Sequence, residues 1–399
     1  MNANEMSSNG KTAMSRRAFI CGTTVAAMLG AAGVATRAGL AQDGKTADAG
    51  AASDTASGAT ATVQDSTFGE VELHGEASRI VTTAPAYTVS ILLAGAAEKI
   101  VALDNNSVDS DWLNDKFPFF NGLPAACSSS DINIETILSL DPDLVALAPK
   151  YKDAAAERLA ELGIACISSP QVSEGASLMD QTMETASYYG AAIGGASVER
   201  AQQFADYFAD VRAKVAATVA GVAEGDRPRV LVVNNLDPLT VVNGNPRSMC
   251  QEWITLAGGR NVAGDNVDDG VSGRIEVSME QVLAWDPQIV VCDSTAVEDG
   301  ILESSSWANV SAVQTGDVTV MPKGLMQWGY NGPEVALMAQ FAAKLVHPEL
   351  FDELDLVETM RAFYSDMFGI ELTDEDYGII LRTDLPKDDY VEATFTFGA

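Results

Sequence analysis

INIETILSLDPDLVAL (132–147) and VSMEQVLAWDPQIVVC (277–292) carry almost the same text twice in one chain. Laid over each other they match at Glu135 and Glu280, Leu138 and Leu283, Asp141 and Asp286, Pro142 and Pro287, and Val145 and Val290, at a constant offset of 145 residues. Most remaining positions exchange one apolar residue for another. An internal repeat at that distance is too long for a solenoid unit and has the spacing of whole domains. Each copy reads as a helix, an Asp-Pro stop and a buried strand. Asn133 can cap a helix carrying Ile134, Ile137, Leu138 and Leu140, and Leu144 to Leu147 is the strand. Ser278 opens the second copy, with Gln281 placed to complete a capping box, and Ile289 to Val291 is its strand.

The same grammar extends outward from each copy. Before the first, Arg79 to Thr83 is a β-branched strand stopping at Ala84-Pro85, Ser90 to Ala97 is helical, and Lys99 to Leu103 is a strand. After it come a helix at Ala154 to Leu162 and a strand at Ile164 to Ile167. Around the second copy lie a strand at Arg229 to Val233, a helix at Ser248 to Ala257 and a strand at Val318 to Met321. Strands alternating with helices predict parallel sheets covered on both faces. Between the halves, Glu184 to Ala223 is an almost unbroken helical pattern that dips at Gly194-Gly195, with Phe204, Phe208, Val211 and Val215 on one face. The expected fold is α/β: two Rossmann-like lobes with parallel sheets, joined by one long backbone helix, with a ligand cleft between the lobes.

The ends of the chain read differently. Ser15-Arg16-Arg17-Ala18-Phe19-Ile20, a mild apolar run and Gly39-Leu40-Ala41 make residues 1–41 a twin-arginine export signal. Residues 42–65 are small and polar and read as a disordered tether. The remaining divisions are an N-terminal lobe at 66–184, a connecting helix at 185–225, a C-terminal lobe at 226–345 and a helical extension at 346–399, for which the sequence offers no function. The net charge is −32, and because residues 1–41 hold Lys11, Arg16, Arg17 and Arg37 against Glu5, the exported part stands near −35. Such a balance excludes nucleic acid as a partner, since that affinity comes from Lys and Arg on phosphates. Cys127, Cys166, Cys250 and Cys292 lie in apolar stretches outside any C-x-x-C pair and read as small core residues, with any pairing left open.

In this order the stretches RIVTTAPAYTVSILLAGAAEKIVALD (79–104), NIETILSLDPDLVAL (133–147), LAGGRNVAGD (256–265), VSMEQVLAWDPQIVV (277–291) and MPKGLMQWGYNGPEVALMAQFAAKLVHPELF (321–351) resemble the substrate-binding proteins of ABC importers for ferric siderophores, haem and cobalamin. The resemblance implies a monomeric, non-enzymatic protein that captures a metal chelate outside the cytoplasmic membrane, in the periplasm or at the cell surface. It implies delivery to a permease dimer driven by a cytoplasmic ATPase, with Glu135 and Glu280 docking into arginine pockets of that permease. A ferric siderophore is the first expectation; haem, a corrinoid, a nickel chelate or molybdate stay open within the same fold. An exported enzyme or scaffold is the alternative of another class, although no nucleotide-binding, nucleophile-elbow or haem-attachment motif is present.

Open parallel sheets bind ligands beyond the C-terminal ends of their strands. Candidates there are Pro85-Ala86-Tyr87, Asn105-Asn106 and Lys150-Tyr151 in the first lobe. The second lobe offers Asn234-Asn235, Asn243 to Arg247, and Met326-Gln327-Trp328-Gly329-Tyr330. Of these, Tyr87, Tyr151, Arg247, Trp328 and Tyr330 are the expected ligand contacts, supplying flat apolar surface and a cation for chelate oxygens. No catalytic residue, cofactor or bare-metal site is expected. The two histidines, His74 and His347, read as surface residues and no His or carboxylate cluster is legible, so any metal should arrive already chelated.

Overall fold

The computed structural model describes residues 60–245, 248–266 and 273–382. The export signal, the tether up to residue 59 and Arg247 lie outside the described residues. The tether's expected end at 65 is corrected: Thr60–Asp65 is strand β1, paired antiparallel with β2 (Gly69–His74). What makes it a strand is tertiary. The Asp65 carboxylate is buried and accepts from the Thr67, Phe68 and Ser168 N–H groups at 2.7, 2.9 and 2.6 Å, and from the Ser168 and Tyr188 hydroxyls at 2.9 and 2.5 Å.

The N-terminal lobe has a parallel sheet of β3 (Ile80–Thr82), β4 (Ile100–Asp104), β5 (Ala125–Cys127), β6 (Leu144–Ala146) and β7 (Ala165–Ile167), in the order β5-β4-β3-β6-β7. Its helices are α1 (Pro85–Leu93), α2 (Asn105–Val108), α3 (Asp111–Lys116), α4 (Ile134–Ser139) and α5 (Lys152–Glu161). Pro85 does not merely end β3; it opens α1, where a missing N–H costs nothing, so the helix expected from Ser90 starts five residues earlier.

The C-terminal lobe has β8 (Arg229–Leu236), β9 (Leu239–Val242), α8 (Met249–Leu256), β10 (Arg260–Asn261), β11 (Arg274–Glu276), α9 (Met279–Trp285), β12 (Ile289–Cys292), α10 (Thr295–Glu303), α11 (Ser311–Thr315), β13 (Val318–Val320) and α12 (Val335–Val346). Its sheet order is β11-β9-β8-β12-β13, with β10 beside β8. This sheet is mixed, a correction to the expected parallel one: β9 doubles back on β8 through a tight turn and β11 pairs antiparallel with β9. Helices α13 (Leu356–Phe368) and α14 (Asp374–Leu381) follow.

The repeat is visible as geometry. Asp141 and Asp286 both adopt left-handed backbone, φ 49° and 45°, immediately before their prolines. Asp tolerates that conformation better than most residues, and the following proline disfavours another helical turn. In each lobe an arginine at the start of the leading strand, just before β3 in the first lobe and first in β8 in the second, covers the freed carbonyls. Arg79 Nη2 donates to the Leu140 carbonyl at 2.6 Å, and Arg229 Nε to the Asp286 carbonyl at 2.8 Å. The first-copy helix is capped by Asn133 as expected; Ser278 accepts from the Gln281 N–H at 3.3 Å, which is one half of the expected box.

The connecting segment is two helices, α6 (Leu178–Ile193) and α7 (Ser197–Val219), not one over 185–225. The chain reverses at Gly194 and Gly195, with φ 79° and 58°. The two helices pack so closely that a methyl on Gly190 would stand 2.6 Å from Ala201 Cβ. Helix α6 starts against the second lobe, its Leu178 and Met179 N–H groups donating to Glu252 at 2.7 and 3.0 Å. It ends against the first, where Ile193 accepts from the Ala77 N–H at 2.8 Å. Helix α7 returns, from Arg200 beside Gly95 to Val219 beside Gly258.

Strand residues alternate between two sides. Ile80, Val230, Val232, Ile289 and Val291 face one core that runs through both lobes and contains Phe204 and Phe208 of α7, Trp253, Trp328 and Phe363. Val81 and Val145 face a second cluster confined to the first lobe, and Leu231, Val233, Val290 and Cys292 a third confined to the second. The lobes are therefore fused along one apolar slab, and the gap between them can open only on the other side of it. His347 belongs to this slab, not to the surface: it is 5% exposed, with Nε2 3.2 Å from the Gly258 carbonyl, whereas His74 is exposed.

Candidate functional site

The loops after the C-terminal strand ends form two edges. At the first lobe's edge the polar groups are spent on one another. Thr83 Oγ1 donates to the Ala146 carbonyl at 2.9 Å and accepts from the Ala148 N–H at 2.8 Å, bracing the loops after β3 and β6. Asp104, 3% exposed, accepts from the Ser107 N–H and hydroxyl at 3.1 and 2.6 Å. Burial pushes its pKa up despite those bonds. Tyr151 is 3% exposed, its hydroxyl donating to the Ser128 carbonyl, with the Lys150 ammonium 4.7 Å from the ring centre. Cys127 lies beneath, its thiol pushed up to about 11, first by burial. Tyr87 is half-buried, its ring 6.1 Å from that of Tyr189, and burial raises its phenol to about 12.

The second lobe's edge is built around Tyr330. Its hydroxyl donates to Asp293 Oδ1 and accepts from Asn234 Nδ2 at 2.8 Å and Arg274 Nη2 at 3.1 Å. The guanidinium of Arg274, an exposed residue, lies 5.6 Å from the centre of the Tyr330 ring. Gln327 Nε2 donates to the Asp293 carbonyl at 2.6 Å. Asn234 Oδ1 is buried without a hydrogen-bond partner. Lys323, just past β13, is half-buried, and its ammonium has no hydrogen bond or ion pair among the described residues. Burial, and then the Arg382 charge, hold its pKa below the ordinary lysine value.

Of the expected ligand contacts, Tyr330 stands at an edge and Tyr87 half-way into one. Tyr151 and Trp328 are corrected to packing roles. Trp328 is fully buried, Nε1 3.4 Å from the Tyr364 hydroxyl and its ring edge-on to Phe341. The glycines around Trp328 mark close packing, not exposure: at Gly329 an added Cβ would run into Met321. Asp293, Arg274 and Lys323 were not among the candidates. Asp293 and Lys323 each come two residues after a strand read from the sequence, so the strand-end rule could have found both; Arg274 opens a three-residue strand too short for its alternation to mark it.

Glu135 and Glu280 are both exposed in the first turns of α4 and α9. The Glu280 backbone N–H and the Ser278 hydroxyl hold the Glu280 carboxyl below its usual range. Beside Glu135 opens a pocket of about 580 Å³ lined by Asn105, Cys127, Ser128, Asp131 and Asn133. Among the described residues no group of three or more His, Cys, Asp or Glu is placed to hold a metal ion.

Two α/β lobes fused along a helical back have the architecture of a binding protein. The sequence model of the family described as Periplasmic binding protein matches residues 80–325, and the chain belongs to that family, the two-lobed solute-binding proteins of ABC transporters. These are binding proteins, not enzymes. A solved periplasmic solute-binding protein of Veillonella parvula is 26% identical and superposes with a TM-score of 0.69 over 81% of this chain and 97% of its own. The Molybdate-binding protein MolA of Haemophilus influenzae is 32% identical over 115 residues, which is 28% of this chain and 32% of that protein's length. A Vitamin B12-binding protein of Yersinia pestis is 26% identical over 66% of this chain and 84% of its own.

Proposed function

We propose that the chain captures an anionic metal complex outside the cytoplasmic membrane, a ferric siderophore first, and delivers it to an ABC permease dimer driven by a cytoplasmic ATPase. The observation that carries this reading is the second lobe's edge. In a chain of net charge −32, a half-buried ammonium at Lys323 with no partner among the described residues and the Arg274–Tyr330 stack lie on the same lobe. A buried charge without a partner is costly, and ligand oxygens would supply one. Tyr330 would offer a flat face to a chelate, with Tyr87 as the first lobe's candidate contact. A second reading, an oxyanion such as molybdate, is favoured by the identity to the Haemophilus protein.

A thermal-shift screen separates the two, using ferric catecholate, hydroxamate and carboxylate siderophores, their iron-free forms, and molybdate. Ligand at a hundred times its Kd stabilises by about 2.7 kcal/mol, or several degrees at roughly 2–4 °C per kcal/mol. A shift with a ferric siderophore and not its iron-free form supports the first reading, a shift with molybdate alone the second, and silence across the panel removes both.

Export would follow from the twin-arginine signal in residues 1–41, placing a monomer in the periplasm or at the cell surface. Glu135 and Glu280, exposed at matching positions of the two repeats, would dock the permease. Reversing both charges should abolish uptake in cells and leave ligand affinity unchanged; undiminished uptake removes them from that role.

A further inference from the structure

Helices α13 and α14 follow the stretch matched by the family model, which ends at residue 325, and the cargo reading assigns them nothing. Their placement is specific. Thr373 and Asp376 close a capping box at the start of α14. That box needs only Thr373, whose N–H and hydroxyl lie 2.7 and 2.8 Å from Asp376 Oδ2. Yet Asp376 also accepts from Trp112 Nε1 at 2.9 Å and Lys116 Nζ at 2.7 Å, both on α3 of the opposite lobe. The carboxylate is 3% exposed. Burial alone would raise its pKa; the Lys116 ammonium, Thr373 and Trp112 outweigh it and hold the carboxyl below the usual range.

Four and six residues on, the last turn of the same helix and its C-cap hold the second lobe's edge. The Ile380 carbonyl accepts from the Lys323 N–H at 2.9 Å, and Arg382 Nη1 donates to the Asp293 carbonyl at 3.3 Å. Helix α13 backs this arrangement: the Tyr364 ring meets that of Trp112 edge-on at 6.1 Å, and the Met367 carbonyl accepts from Arg200 Nη2 of α7 at 3.0 Å. Two bodies joined along one line of helix can still rotate about that line. A second attachment, made by α3 and α14 and not by α6 and α7, opposes that rotation. Burying a carboxylate between lobes is unfavourable unless its partners are fixed, and here they are fixed on the lobe that must not move.

We propose that α14 is a second joint between the lobes, with Asp376 as its positioning residue, setting the distance between the first lobe's edge and the Asp293–Tyr330 edge. The joint makes the cleft a preformed site with small closure. Loss of the latch frees rotation about α6 and α7.

The test is an interlobe distance, and it needs no cargo, so its failure leaves the cargo reading standing. In the full-length protein with Cys21→Ser, spin labels at Glu157→Cys and Glu303→Cys, one exposed site per lobe, report by pulsed electron resonance; the cysteines at 127, 166, 250 and 292 are buried. The wild-type background should give one narrow distance. Asp376→Asn, and separately Lys116→Met, should widen the distribution at least twofold. Val290→Ala, in the core confined to the second lobe, should lower the melting temperature without widening it. If Asp376→Asn does not fold, Lys116→Met carries the comparison. Unchanged widths in the latch variants, or a width that tracks melting temperature in all three, overturns the proposal.

Discussion

The two lobes share a repeat unit but finish their cleft edges in opposite ways. The first lobe closes its polar groups on themselves: Thr83 braces two loops, Asp104 is held by Ser107, and Tyr151 by the Ser128 carbonyl. The second lobe leaves groups unfinished: among the described residues the Lys323 ammonium and the buried Asn234 Oδ1 have no partner, and the exposed Arg274 rests on an aromatic ring. A finished edge contributes shape, and an unfinished one contributes affinity. The difference teaches that duplication supplied the frame and divergence of the strand-end loops supplied the chemistry.

Buried carboxyls whose pKa is raised test the contrast most strongly: Asp104 in the first lobe and Glu334 in the second. Glu334 of the second lobe is 1% exposed, accepts from the Leu325 and Met326 N–H groups at 2.9 and 2.6 Å and from the Tyr364 hydroxyl, and is raised to about 7, chiefly by burial. A raised carboxyl favours its protonated form when folded. Its contribution to stability is therefore whole below pH 4.5 and is lost as pH climbs through about 7. The full difference is on the order of 3 kcal/mol. Urea unfolding of wild type and Glu334→Gln between pH 4.5 and 8.5 should show the wild type losing stability relative to the variant as pH rises. A constant difference would mean Glu334 is ionised throughout. Asp104→Asn should show the same sign for the first lobe, since burial also raises Asp104.

Next is affinity. If the second edge is the binding one, Lys323→Met should weaken whichever siderophore or molybdate stabilises the protein by tenfold or more, about 1.4 kcal/mol. Tyr151→Phe, which removes one hydroxyl from the finished edge, should change titration calorimetry by less than twofold. Equal losses from both would break the asymmetry.

What was legible in the sequence follows the same division. Periodic apolar runs and the Asp-Pro stops announced the strands, the helices and the duplication, because those features are set within one unit. The β1–β2 hairpin was missed: β2 alternates polar and apolar residues, but β1 is small and polar and its order comes from Asp65 meeting Ser168 and Tyr188, more than a hundred residues away. The break at Gly194-Gly195 was legible as a dip, but a hairpin of helices and one bent helix share the same periodicity. Trp328 was misplaced because a Gly-flanked aromatic looks like an exposed loop. Only the structure shows Met321 and Tyr364 filling the space around it. Lys323, which acts singly and repeats nothing, was marked only by its place two residues past a strand.

The smallest effect lies inside the repeat itself. Asp141 and Asp286 share a left-handed backbone, so alanine at either position carries the same conformational cost. Only Asp286 uses its carboxylate, which accepts from the Ser311 N–H at 2.9 Å, the Ser311 hydroxyl at 2.8 Å and Arg229 Nη2 at 3.1 Å. Those Ser311 bonds and the Arg229 charge hold its pKa below the usual range. In the first lobe the equivalent anchoring falls to Asp143, two residues later, which binds the Ser78 N–H and hydroxyl at 2.8 and 2.6 Å. Asp286→Ala should therefore cost about 1–2 kcal/mol more than Asp141→Ala in urea unfolding, the worth of the lost side-chain bonds. Asp143→Ala, at ordinary backbone, should by itself cost about that same 1–2 kcal/mol. Equal costs for Asp141→Ala and Asp286→Ala would mean the repeat kept its chemistry as well as its frame, and the contrast between the lobes would then begin only at their edges.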